Sequence, residues 1–140
     1  MGLKSFAVVS ALSMFAATGS QAATANFNTA LKGSNEVPPN TTTGTGEVKA
    51  VLDTSQRVLT YTITYSGLTS PVVAAHFHGP AAPGVNAPPI ITITDLKSPI
   101  TGTAKLTAHQ EEELQAGKWY FNIHTAQNKG GEIRGQLPKE

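Results

Sequence analysis

The sequence predicts an all-β fold: an antiparallel β-sandwich or flattened Greek-key barrel of about seven to eight strands, with one short helix. Three observations carry this. Charged residues make up only 14% of the 140-residue chain, against about 25% in ordinary soluble domains. Thirteen glycines and nine prolines punctuate it at short intervals, as turns do. Between them Val, Ile, Thr and Tyr alternate with period two, and no strand–helix–strand alternation appears.

The first segment, 1–23, predicts a cleavable export signal. Lys4 precedes an apolar run over 6–17, and Gln21-Ala22-Ala23 closes it with small residues. The run has 12 residues, short of the roughly 20 that cross a bilayer, so no membrane-spanning segment is expected. Cleavage is expected after Ala22 or Ala23, with Ala25 the lesser alternative. That leaves one domain over 26–138, periplasmic or extracellular. Without Lys4 the chain carries nine Lys and Arg against nine Asp and Glu, so there is no basic field for nucleic acid. The absence of cysteine excludes disulfides, thiolate metal sites, iron–sulfur clusters and thiol catalysis.

Residues 27–31 form the first expected strand, followed by Gly33-Ser34-Asn35, the rigid Glu36-Val37-Pro38-Pro39 and a polar loop over 40–46. Strands at 47–52 and 57–65 make a hairpin across Asp53-Thr54-Ser55-Gln56, with Leu59, Tyr61, Ile63 and Tyr65 on one face. Pro71 opens a strand at 72–78; a Gly/Pro loop then leads to another at 90–94. The helix begins at Thr107, where Thr107-Ala108-His109-Gln110 fits a capping box. Glu111, Glu112 and Glu113 follow as a solvated face near the positive end of the helix dipole, and Gly117 stops it. In 118–125 Trp119, Phe121, Ile123 and Thr125 face one way and Tyr120, Asn122 and His124 the other. A turn at Asn128-Lys129-Gly130-Gly131 closes a hairpin with 132–137. Glu132 and Arg134, two apart, share a face and are expected to pair with each other or across the sheet.

The chemistry concentrates in histidine. Period two puts His76 and His78 on one face of their strand, opposite Phe77, and two imidazoles at that spacing can lean onto one ion. His124 sits on the polar face of the late strand, so if the two strands are neighbours three imidazoles converge as metal ligands. His109, in the first helical turn, is the candidate fourth. All-nitrogen ligation suits copper before zinc and disfavours calcium and magnesium. Other chemistries have little support. No G-x-S-x-G elbow is present, Gly44-x-Gly46 lacks the helix of a phosphate loop, and nothing fixes a separation among Glu36, Glu47 and Glu132. No catalytic residue is assigned.

Four ordered motifs carry a resemblance: Leu31-x-Gly33-x-Asn35-Glu36-Val37-Pro38-Pro39; Ala74-Ala75-His76-Phe77-His78-Gly79-Pro80; Tyr120-Phe121-Asn122-Ile123-His124-Thr125; and Gly131-Glu132-Ile133-Arg134-Gly135-Gln136. Together they resemble the CHRD (chordin) domain family over about 26–138. The resemblance implies an all-β, exported, single-domain bacterial-type member. Animal members sit in growth-factor antagonists beside Cys-rich modules absent here, so that function is not carried over. The His76-x-His78 strand is also similar to the copper strand of copper/zinc superoxide dismutases, a likeness of fold and local motif; their zinc loop, bridging His and disulfide have no counterpart. The expected function is a three-histidine copper or zinc module. The alternatives are a structural or interaction module without metal, or dismutase-like activity at copper.

Overall fold

A computed structural model describes residues 1–2, 23–138 and 140; segment 3–22, which carries the expected export signal, lies outside them. The strands are β1 (Thr24–Lys32), β2 (Thr45–Asp53), β3 (Val58–Ser66), β4 (Val72–His78), β5 (Pro89–Thr92), β6 (Ile100–Lys105), β7 (Tyr120–Thr125) and β8 (Ile133–Gln136). Helix α1 (Ala108–Gln115) bridges β6 and β7. All ladders are antiparallel, in one sheet of order β5-β4-β7-β8-β1-β2-β3-β6. The sheet curls into a nearly closed barrel. Tyr61 of β3 stands edge-on to Phe77 of β4 at 5.2 Å between centroids, although four strands lie between them in the sheet.

Alternation sets which faces meet inside. In β2 and β3, Val48, Ala50, Leu52, Leu59, Tyr61 and Ile63 are buried while Thr60, Thr62 and Thr64 are exposed or partly so. Phe77 packs edge-on to Phe121 with centroids 4.8 Å apart, and 6.3 Å from Trp119. Burying each such side chain contributes roughly 1.5–3 kcal/mol, so this aromatic group is a main anchor of the fold.

Most expected elements appear within a residue or two of their positions, and β4 matches its expected range. The exception is β6, absent from the expected set. Its sequence, Ile-Thr-Gly-Thr-Ala-Lys, offers only Ile100 and Ala104 as apolar inward residues, with glycine between them. Gly102 pairs with Tyr61, whose ring fills the missing side chain's place: a Cβ there would lie 2.4 Å from the phenol oxygen. A neighbour's aromatic ring therefore supplies the packing that period-two reading looks for locally.

The helix forms as expected. The Thr107 side chain accepts from the Gln110 amide and the Gln110 side chain accepts from the Thr107 amide. Glu112 is exposed as expected, whereas Glu111 and Glu113 are partly buried and paired. Glu111 pairs with Arg57 at 3.3 Å, and Glu113 meets His109 and the Trp119 indole N–H.

Candidate metal centre

Strands β4 and β7 are neighbours, with His76 opposite Asn122, His78 opposite Tyr120, and Ala74 opposite His124. The pleat sends Ala75 and Phe77 into the apolar core and His76 and His78 to the other side. His124 lies on the same side of β7. The three imidazoles therefore come together, with ring centroids 5.3 Å apart for His76–His78, 5.0 Å for His76–His124 and 6.3 Å for His78–His124. Each offers one ring nitrogen to a group whose members lie within 4.8 Å of one another.

Two ring nitrogens are already close to ligand spacing. His76 Nδ1 and His124 Nε2 are 3.2 Å apart, which at metal–nitrogen bonds of about 2.0–2.1 Å corresponds to an angle of about 100°. The rings are oriented by backbone. A carbonyl only accepts, so His78 Nδ1 donates to Ala87 O and His124 Nδ1 donates to Lys129 O, both at 2.8 Å. Bonds of this kind fix the tautomer in histidines that hold metals and leave Nε2 facing the centre. Burial first, then mutual repulsion with His124 and His78, lowers the His76 pKa. Burial likewise lowers that of His78, against the opposing bonds to Ala87 and Asn122. Both shifts favour the neutral imidazole, the form that ligates.

His109 is placed elsewhere. It is a solvent-facing residue of α1, bonded to Glu113 at 2.9 Å, and does not belong to the group. The expected mutual pairing of Glu132 and Arg134 is likewise not formed. Glu132 accepts from Thr42, Thr69, Thr125 and Asn128. Arg134 donates instead to Asn86 Oδ1 and to Val85 O.

Around the imidazoles lies a polar shell that histidine spacing alone does not reveal. His78 stacks on Tyr120 at 4.7 Å with planes 3° apart, and the Arg134 guanidinium lies over the same ring at 3.5 Å. His78 Nε2 meets the Asn122 side-chain amide at 2.9 Å, and that amide meets the Glu36 carboxyl at 3.4 Å. Glu36 and Arg134 also line a cleft of about 710 Å³ walled by Val37, Pro39 and Pro83. Gly131, at φ 126°, passes so close to Glu36 that a Cβ would sit 2.4 Å from its carboxyl oxygen. The available signal was the Glu36-Val37-Pro38-Pro39 motif, rigid and charged, which no strand or helix needed.

Burial drives the Glu36 pKa up to about 7 from 4.5, against the lowering effects of the Asn122 bond, the Arg134 charge and the Val37 amide. A carboxyl raised in the folded state stabilises below its unfolded pKa, and that contribution is lost as pH rises through the folded value. The metal-free protein is therefore expected to lose on the order of 3 kcal/mol between about pH 4.5 and 7 through Glu36, at 1.36 kcal/mol per unit. Glu36→Gln should flatten that limb of a stability–pH curve measured by urea unfolding. An unchanged limb would place the titration elsewhere.

The family model described as the CHRD domain matches residues 27–137. No curated protein and no solved structure matches the chain.

Proposed function

The chain belongs to the CHRD domain family, and from that premise we propose that it is an exported module binding one metal ion, copper before zinc, through His76, His78 and His124. One observation carries the reading: three imidazoles from adjacent strands, with ring nitrogens within 4.8 Å and backbone acceptors fixing two of them. The donor set is all nitrogen, which favours copper in the affinity order and then zinc. Export is supported by the order of charge, apolar run and small residues in 1–23. His76 and His124 are only partly buried, which supports an open position of the kind copper redox chemistry, superoxide dismutation included, requires.

The test is titration of metal-stripped protein with Cu(II). One equivalent should bind, and at a hundredfold excess over Kd it should raise the melting temperature by on the order of 10 °C. His76→Ala combined with His124→Ala should abolish both effects; retained binding in that variant sinks the assignment. A second reading has its own support. The hydrogen bond between His76 and His124, and the two made by His78, are what a purely structural polar cluster needs. On that reading metal leaves the melting temperature unmoved and His→Ala substitution lowers it.

A further inference from the structure

Both ring nitrogens of His78 are engaged by the protein. Nδ1 donates to Ala87 O at 2.8 Å, so the atom left to ligate is Nε2, and Nε2 faces the Asn122 amide at 2.9 Å. We propose that Asn122, held by Glu36, is a latch on His78: a positioning residue that competes with metal for His78 Nε2 and sets the affinity of the site. The inference rests on the metal reading above.

The argument holds for either orientation of the amide, which heavy-atom positions do not distinguish. With Oδ1 toward the ring, Nε2 carries a proton and donates it, so the ring donates from both nitrogens as imidazolium and must release that proton to ligate. With Nδ2 toward the ring, the Nε2 lone pair accepts a hydrogen bond. Neither arrangement leaves a free lone pair. His76 and His124 bond only each other at these atoms. With His124 Nδ1 given to Lys129 O, His76 Nδ1 donates to His124 Nε2. An ion that displaces this one proton meets two nitrogens 3.2 Å apart, already near ligand spacing. Capture therefore proceeds from a two-imidazole mouth, His76 and His124, to a third ligand released only when the Asn122 side chain swings away.

Glu36 gives the latch its stiffness. Its carboxyl lies 3.4 Å from Asn122 Nδ2, and the side chains of Glu36, Asn122 and His78 are all nearly enclosed, at 4%, 3% and 7% exposure. An amide fixed at both ends and nearly enclosed has little access to water, so opening it costs the bond to His78 with little solvent repayment. The spread of the donor atoms agrees. An envelope of 4.8 Å exceeds the about 3.3 Å between two tetrahedral ligands at zinc-like bond lengths, so the site must contract to hold an ion with all three rings.

A residue that merely supported the histidines would weaken binding when removed; a latch strengthens it. In Cu(II) titrations against a competing chelator, Asn122→Leu, close in size and unable to hydrogen-bond, and Asn122→Ala should each lower Kd by about tenfold, equivalent to about 1.4 kcal/mol. Both should keep the dependence on His76 and His124. Unchanged or weaker binding overturns the latch. Should either variant fold poorly, the wild-type protein supplies the second measurement. On addition of Zn(II), which is diamagnetic, the Asn122 side-chain amide signals should shift in step with those of the His78 ring; amide signals that stay put overturn the latch. Wild-type protein that takes up neither copper nor zinc sinks the metal reading and the latch together. Wild type that binds through His76 and His124 while Asn122→Leu binds no more tightly sinks the latch alone.

Discussion

Glu132→Ala is expected to lower the unfolding free energy by about 4 kcal/mol, among the largest losses any single side chain in this fold can cause. Glu132 is fully enclosed. It accepts from Thr42 Oγ1 at 2.7 Å, from the Thr69 amide at 2.8 Å and hydroxyl at 2.9 Å, from Thr125 Oγ1 at 2.6 Å and from Asn128 Nδ2 at 3.3 Å. These donors belong to three separate stretches: the 40–44 loop, the 67–71 connection and the β7–β8 hairpin. Truncation leaves the part-buried Thr69 N–H and several hydroxyls without an acceptor, at up to about 1–3 kcal/mol each before hydroxyls rotate to other partners. Glu132→Gln keeps the shape and turns one end into a donor, so about half the loss is expected. The pH signature separates the two variants from a cavity effect. Burial pushes the Glu132 carboxyl up, but the bonds from Thr125, Thr42 and Thr69 outweigh it and hold the carboxyl below its usual 4.5. A carboxyl lowered in the folded state stabilises above its unfolded pKa, and the contribution disappears as pH falls through the folded value. Wild type should therefore lose stability below about pH 4.5 more steeply than Glu132→Gln does. Urea midpoints from pH 7 down to pH 3 measure this; parallel curves would show that the carboxylate charge contributes nothing.

Arg134→Ala is expected to cost about 3–5 kcal/mol, and Arg134→Lys most of that. The guanidinium is 2% exposed, lies over Tyr120, and donates to Asn86 Oδ1 at 2.9 Å and Val85 O at 2.6 Å. A lysine brings the charge but neither the fork nor the flat face that lies over the phenol ring. Removing the charge also leaves buried Glu36 without its cationic neighbour, which raises the carboxyl pKa further. The effect is local as well as global. The 82–88 loop hangs on Arg134 through Val85 and Asn86 and reaches His78 through Ala87, so both variants should expose that loop to proteases at concentrations that leave wild type intact. A loop as resistant as wild type in a destabilised variant would show that it is held by its prolines instead.

The fold was legible wherever one residue's surroundings repeat every second position. In 57–65 alternation gave both the strand and its buried face, and the Thr107 capping box gave the helix start. In 118–125 it gave the strand and which side chains share a face, although Tyr120 and Asn122 on the polar side are buried too. Residues 76, 78 and 124 were legible as a group because period two fixes a face and two strands were enough to share it. What escaped depends on partners distant in sequence. Strand β6 needs the Tyr61 ring, 41 positions before Gly102, to complete its packing. Glu36 and Asn122 meet across 86 positions, and Glu132 meets Thr42 across 90. No local spacing encodes such contacts. Of the two pairings open to Glu132 and Arg134, the mutual one is not formed: Glu132 bonds Thr125 of the neighbouring strand together with loop residues, and Arg134 bonds Asn86 and Val85.

Strands β4 and β7 carry Phe77, Phe121 and Ile123 on one face and His76, His78, Asn122 and His124 on the other. A mutation at one of the latter positions touches none of the aromatic contacts that hold the barrel shut. Selection can therefore alter the side chains of this polar face while the aromatic core beneath it is left in place. The same two strands supply both robustness and room for chemical novelty, and descendants of one ancestral sheet can diverge in chemistry while remaining superposable in backbone.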